Sequence, residues 1–160
     1  MPVSITIRPA EPHEVPLVLE FIRELAQYER LGEVPATTAD LTVALFGPRP
    51  FAEVVFACLE GEPVGFALFF QNFSTFLGKP GIYLEDLFVR PQVRGRGIGR
   101  RLFAWLARTT LERGCARLDW AVLDWNLPSI GFYRSLGAVA QDEWTTMRVS
   151  GAALERLARG

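Results

Sequence analysis

At 160 residues, 49% hydrophobic and 12% aromatic, the chain has the size and apolar content of one domain with a full core, which excludes a disordered tail. No apolar run reaches the roughly 18 residues that cross a bilayer, and residues 1–10 lack the basic flank, apolar segment and cleavage site of a signal peptide, so no membrane partner and a cytoplasmic setting are expected. The formal net charge of −1 conceals an asymmetry, residues 1–80 carrying 10 Asp and Glu against 5 Lys and Arg and residues 81–160 carrying 8 against 12, which argues against a nucleic-acid partner and suits a protein that meets a cation on one side and an anion on the other.

In chain order the pattern alternates strand and helix. "ITIR" (Ile5–Arg8) is a short strand, and Glu14–Arg30 a helix with Pro16 in its first turn and Leu17, Phe21, Leu25 and Tyr28 on one stripe. A second helix starts at Thr38, its N-cap, and runs to Phe46, where "GPRP" stops it. "FAEVVFACLE" and "PVGFALFFQNF" form a hairpin over the tight "GEP" turn. A loop, Ser74–Gly81, leads to the strand "IYLEDLFV", then to "RGRGIGRR" (Arg94–Arg101) and a helix from Ile98 to near Arg113, ended by Gly114. "ARLDWAVL" is a strand, Pro128–Leu136 a helix with Gly137 beyond its end, "WTTMRV" a strand, and Gly151–Ala158 a last short helix. A single domain over residues 1–160 is expected, α/β in composition, with one mixed sheet (α+β) flanked by helices.

Chemistry concentrates at Arg94–Arg101. Glycines let successive main-chain N–H groups converge on one point, and the helix that follows adds its own unpaired N–H groups and positive dipole end, a combination that cradles phosphates. A Walker A loop would need a lysine and a Ser or Thr that are missing here. A dinucleotide fingerprint would need glycine at the sixth position from Gly95, where Arg100 stands, although Asp119 lies about twenty residues on. A plain turn closing a strand onto a helix accounts for one glycine and not for three.

The pattern that fits is Arg-x-x-Gly-x-Gly, met by Arg94, Gly97 and Gly99, after a strand and opening a helix. In this the sequence resembles the GNAT superfamily of N-acetyltransferases, whose motif holds the pyrophosphate of acetyl-CoA. "ELAQYE" (Glu24–Glu29), "YLEDLFV" (Tyr83–Val89), "RGRGIG" and "WNLPSIGFYRSLGA" (Trp125–Ala138) stand in the order and at the spacing of the diamine acetyltransferases, the spermidine/spermine and thialysine branch, over nearly the whole chain. The resemblance implies a GNAT-like acyl-CoA N-acyltransferase fold, a homodimer, and acetyl-CoA bound by Leu87, Phe88, Val89, Arg94, Gly95, Arg96, Gly97, Ile98, Gly99, Arg100, Asn126, Pro128 and Ser129. Leu127 departs from the acidic residue that relatives often carry.

The residue inventory restricts the mechanism independently. His13 is the only histidine and lies in the lead-in to a helix, where exposure or capping suits it, so a histidine-based triad is not expected. Cys58 sits among apolar strand residues with no basic partner in view and makes a poor thiolate, while Cys58 and Cys115 form neither a disulfide framework nor a metal pair. No metal ligand set is read from the sequence. Glu85, Asp86 and Tyr133 remain, which suits direct transfer without a covalent enzyme intermediate. An alkyl amine of pKa about 10.4 costs roughly 4–5 kcal/mol to deprotonate at neutral pH, so a carboxylate is needed beside it. The resemblance implies Glu85 in that role, acting through water, and Tyr133 as general acid to the leaving thiolate. Because strand neighbours alternate, Glu85 and Asp86 are expected on opposite faces, with Asp86 structural. Main-chain N–H groups of Leu87–Val89 would stabilise the oxyanion and pair with the pantetheine. Tyr28, Glu29, Glu85, Asp119, Trp120, Ala121 and, as a weaker match, Glu143 or Asp142 would contact the small-molecule amine, whose identity stays open because the chain is shorter here than its animal relatives. A non-catalytic acyl-CoA-binding module and a nucleotide- or nucleic-acid-associated domain are the competing readings. Glu85 and Tyr133 speak against the first, the failed fingerprints and the pI of 5.9 against the second.

Overall fold

The computed structural model describes residues 2–160 in two compact units, one ending at Trp125 and the other spanning Asn126–Gly160. In the first, β1 (Ile5–Pro9), β2 (Glu53–Leu59), β3 (Glu62–Ser74), β4 (Lys79–Val89) and β5 (Leu118–Trp120) form one sheet in that spatial order. The first four strands are antiparallel, and β4 and β5 are parallel. A parallel pair cannot be joined by a hairpin. Helix α3 (Ile98–Glu112) supplies the crossover.

Helix α1 (Val15–Tyr28) follows a short 3-10 turn and buries Val15, Val18, Leu19, Phe21 and Leu25. The Phe21 ring stacks on Phe66 at 5.5 Å and meets Phe56 at 5.9 Å. Burying such a ring contributes roughly 1.5–3 kcal/mol. Helix α2 (Thr38–Phe46) is capped by Thr37, one residue before the expected cap: Thr37 Oγ1 accepts from Asp40 N–H, and Asp40 Oδ2 accepts from Thr37 N–H, a reciprocal capping box. Leu41 and Leu45 of α2 join the α1 residues over Val54, Phe56, Cys58, Phe66 and Phe88. Elsewhere Trp105 of α3 meets Phe69 at 5.8 Å, and Leu102 and Leu106 are fully buried.

Three elements differ from expectation. Half of the loop at 74–81 is strand: Lys79–Gly81 pair with Ser74–Asn72, and the reversal is confined to a tight turn whose Gly78 has φ 62°. The strand at 116–123 shrinks to Leu118–Trp120, because β5 follows β4 only from Ile82 to Leu84. The strand at 144–149 is absent; those residues are irregular and exposed. Their strand propensity is real, but a strand exists only where a ladder partner lies beside it. In the second unit α4 (Leu127–Ser135) and α5 (Gly151–Ala158) fall close to their predicted places, and Gly137 follows α4 at φ 95°.

Candidate active site

Strand β4 is where chemistry and irregularity coincide. Opposite β3, Leu68 pairs with Asp86 and Phe69 with Leu84, so Glu85 is an extra residue in the ladder, a β-bulge. Alternation breaks there, so period-2 counting alone does not place Glu85 and Asp86 relative to each other. Asp86 is largely buried, and burial, reinforced by the charges of Glu85 and Glu29, pushes its carboxyl up to about 6. Glu85 itself is exposed. Burial also raises Glu29, the residue that closes α1. Three carboxyl groups from two elements thus share one neighbourhood, and Asp86 belongs with the functional candidates. The local break in register, which no alternation argument can anticipate, is what hid it.

Tyr83 adds to the same region: its phenol is raised by burial first and by Glu85 and Asp119 after it. Asp119 pairs in register with Tyr83 and accepts from Arg117 Nε at 2.8 Å. The Trp120 ring packs tilted against Phe103, centroids 4.9 Å apart, and Ala121 lies exposed just beyond β5. Tyr28 stands at the end of α1 with its ring 6.4 Å from Phe88 and 6.3 Å from Trp125.

Beyond Leu84 and Trp120 the β4–β5 pairing ends while β4 continues to Val89. The main chain of Leu87, Phe88 and Val89 therefore has one edge without a strand partner, and Phe88 turns its side chain into the core. The turn that follows holds Gly95 and Gly97 at φ 79° and 78°, left-handed backbone that favours glycine. Gly97 is the N-cap of α3 and provides no side chain to its first N–H groups; a Cβ at either glycine would meet nothing within 4 Å. Open space, uncapped N–H groups and a helix dipole are what a diphosphate requires. Ile98 is buried under the first turn, and Arg96 and Arg100 are exposed on it. Arg94 donates from Nε to the Val89 carbonyl oxygen at 2.8 Å. Arg90 is committed elsewhere, with Nη2 on Glu20 at 2.7 Å, Nε on Glu24 at 3.2 Å and its plane over Phe21.

In the second unit Asn126 caps α4, its Oδ1 accepting from Ser129 N–H at 3.3 Å, with Pro128 in the first turn as its missing donor allows. Tyr133 is half-buried on the same helix, 5.8 Å from Phe132. Glu143 lies on the exposed segment before α5.

Two chemical expectations change. Cys58 does have a basic neighbour: Arg8 lowers its thiol, but burial outweighs that and the net shift is upward, so the thiol stays inert by a different route. Glu11, His13 and Glu14 approach within 4.8 Å of one another, a grouping the sequence reading passed over. Both Glu14 oxygens, however, already accept from Arg8 at 2.8 Å. Among the described residues no helix is long and apolar enough to cross a membrane.

Known proteins are similar to this chain over most of its length. A model described as "Acetyltransferase (GNAT) family" matches residues 19–138. The chain belongs to the GNAT acetyltransferase family. It is 38% identical to a thialysine N-epsilon-acetyltransferase of Bos taurus, covering 96% of this chain and 97% of that one. With an L-ornithine N5-acetyltransferase of Arabidopsis thaliana it shares 31% identity over 94% of this chain and 86% of the other. Among solved structures, an integron cassette protein from the mobile metagenome of V. cholerae superposes with a TM-score of 0.81 at 31% identity, covering 98% of this chain and 99% of that one. As a GNAT enzyme the protein is an N-acetyltransferase that uses acetyl-CoA as donor. The glycine turn and the unpaired edge of β4 suit that cosubstrate: the turn would hold the diphosphate and the edge the pantetheine arm.

Proposed function

We propose that this GNAT enzyme acetylates a primary amine of a diamine, a polyamine or a thialysine-like amino acid, within a ternary complex. The convergence of Glu29, Glu85 and Asp86 carries that reading. A neighbourhood in which burial and the charges of Glu85 and Glu29 raise Asp86 is relieved by a cation, and an acceptor with two charged groups relieves it best. The amines named for its relatives, on thialysine and ornithine, sit at the end of an aliphatic stem that carries charge at its other end.

Acetyl-CoA supplies the acetyl group as a thioester, which a neutral amine can attack. Glu85 takes the ammonium proton, directly or through water. Asp86, pushed up to about 6 by burial and its acidic neighbours, adjusts the charge of the slot as the pH falls toward 6. The Leu87–Val89 main chain orients the donor, Tyr133 gives a proton to the departing thiolate, and Asn126, Pro128 and Ser129 support the cofactor through the start of α4. Tyr28, Asp119, Trp120 and Ala121 would line the acceptor side, with Glu143 a weaker contributor. The match to residues 19–138 crosses the boundary between the two compact units, which supports one catalytic domain over the chain. A homodimer is supported by 22 consecutive exposed residues, Val139–Gly160, which include Trp144, Met147 and Leu157. Two buried, unpaired cysteines support a cytoplasmic setting.

A thiol-release assay over diamines, spermidine, thialysine, ornithine, simple monoamines and N-terminal peptides tests the substrate class. The highest kcat/KM is expected for acceptors with a second charged group. Turnover confined to monoamines or peptides would overturn the assignment.

Asp86→Asn provides a second check. A buried carboxyl raised to about 6 from an unfolded value of about 3.9 binds its proton more tightly in the native state. Stability is therefore lost as pH rises from about 4 to 6, and the cost above pH 6 is on the order of 2–3 kcal/mol. The amide removes that cost, so the variant should melt about 4–10 °C higher at pH 8 and at the same temperature as wild type near pH 4. Its amine KM should rise at pH 8 and lose the wild-type increase below pH 6. A melting difference that does not vary with pH would refute the shift.

A further inference from the structure

The motif arginine makes contacts that phosphate binding does not require. Its Nε–H is fixed on the Val89 carbonyl oxygen at 2.8 Å, and its guanidinium carbon stands 4.9 Å from the Tyr28 ring centroid and 5.4 Å from that of Phe88. No carboxylate neutralises Arg94 among the described residues. Arg90, four residues earlier, is by contrast saturated by Glu20 and Glu24. Tyr28 continues the chain of contacts to Trp125 at 6.3 Å, whose other neighbour is the Arg30 guanidinium at 4.7 Å. A planar cation held by a backbone acceptor and stacked on a ring fixes that ring's orientation, which a flexible ammonium would not do. Tyr28 also lines a surface cleft of about 330 Å³ together with Glu24, Phe88 and Arg90. One wall of that cleft is thus tied to the glycine turn through the Arg94 side chain.

We propose that Arg94 is a positioning residue for the acceptor amine: its guanidinium locks the Tyr28 ring to the diphosphate turn, so that cofactor and amine bind with positive coupling. This rests on the cofactor and acceptor placements of the proposed function. A diphosphate on the turn holds the remaining Arg94 N–H groups in place, Arg94 holds Tyr28, and the amine then meets a wall already in its bound orientation. Coupling of this kind is reciprocal: the factor by which bound cofactor improves amine binding equals that by which bound amine improves cofactor binding. Because the Arg94 and Arg30 cations already stand over the Tyr28 and Trp125 rings, the substrate ammonium is read by the carboxylates and not by an aromatic box.

The experiment combines steady-state kinetics with calorimetry on the full chain. Arg94→Ala should raise the amine KM about tenfold at saturating acetyl-CoA, a modest coupling factor, with kcat little changed. Tyr28→Leu should weaken acetyl-CoA binding severalfold in the absence of amine, whereas Tyr28→Phe, which keeps the ring, should bind it as wild type does. In the Tyr28→Leu background Arg94→Ala should add little to the amine KM. An unchanged amine KM with only the acetyl-CoA Kd raised overturns the proposal, as does multiplication of the two effects. If the wild type acetylates no amine, the functional reading fails, and the calorimetric response of Tyr28→Leu still decides the coupling.

Discussion

Gly97→Val is expected to weaken acetyl-CoA binding by at least about 100-fold, the loss of one or two charge-assisted main-chain hydrogen bonds of about 1.5–3 kcal/mol each. No steric clash drives this, since a Cβ at Gly97 would meet nothing within 4 Å. The cause is conformational: at φ 78° a β-branched residue costs on the order of 1–2 kcal/mol or more, and relaxing to negative φ swings the first N–H groups of α3 away from their common focus. The valine side chain would in addition occupy the space the diphosphate needs. Gly97→Asn separates the two causes. Asparagine tolerates the left-handed region, so it should melt close to wild type yet still bind poorly because its side chain fills the turn. Calorimetric titration with acetyl-CoA checks both variants. Wild-type affinity in Gly97→Val would remove the glycine turn from the site.

Much of this site was legible in the sequence because it depends on local rules. Arg94, Gly97 and Gly99 mark a turn before a helix, and the turn's left-handed glycines and uncapped helix start follow from residue type alone. The Asn126–Pro128 start of α4 is equally local. What escaped depends on pairing between distant segments. The bulge at Glu85 exists because β3 and β4 fall out of step there, and with it come the placement and raised pKa of Asp86. The early end of β5 reflects divergence from β4. Arg94 over Tyr28 joins positions 66 residues apart. Residues 144–149 illustrate the converse, a strand-forming sequence without a ladder. Periodicity reports what a segment can form, and the neighbours decide whether it does.

Tyr133→Phe should lower kcat by about 10²–10⁴-fold, the usual contribution of a positioned proton donor, with the acetyl-CoA Kd little changed. The chain has three tyrosines, and their surroundings differ in a way that bears on this role. Tyr28 is a packing element between Arg94, Phe88 and Trp125. Tyr83 has its phenol raised by burial and by Glu85 and Asp119; that negative surround holds its proton more tightly and would oppose a departing thiolate. Tyr133 belongs to a helix begun by the Asn126 cap, and it is the tyrosine to which the proposed mechanism gives the acid role. A phenol remains protonated until about pH 10, so it is competent throughout the neutral range. Replacing it with phenylalanine keeps the ring and its packing and deletes only the donor. The high-pH limb of the kcat profile should therefore disappear in the variant, and Tyr83→Phe should leave that limb in place. A Tyr133→Phe enzyme with near wild-type kcat, or one whose loss lies entirely in acetyl-CoA affinity, would assign the proton to solvent and leave Tyr133 a binding contact.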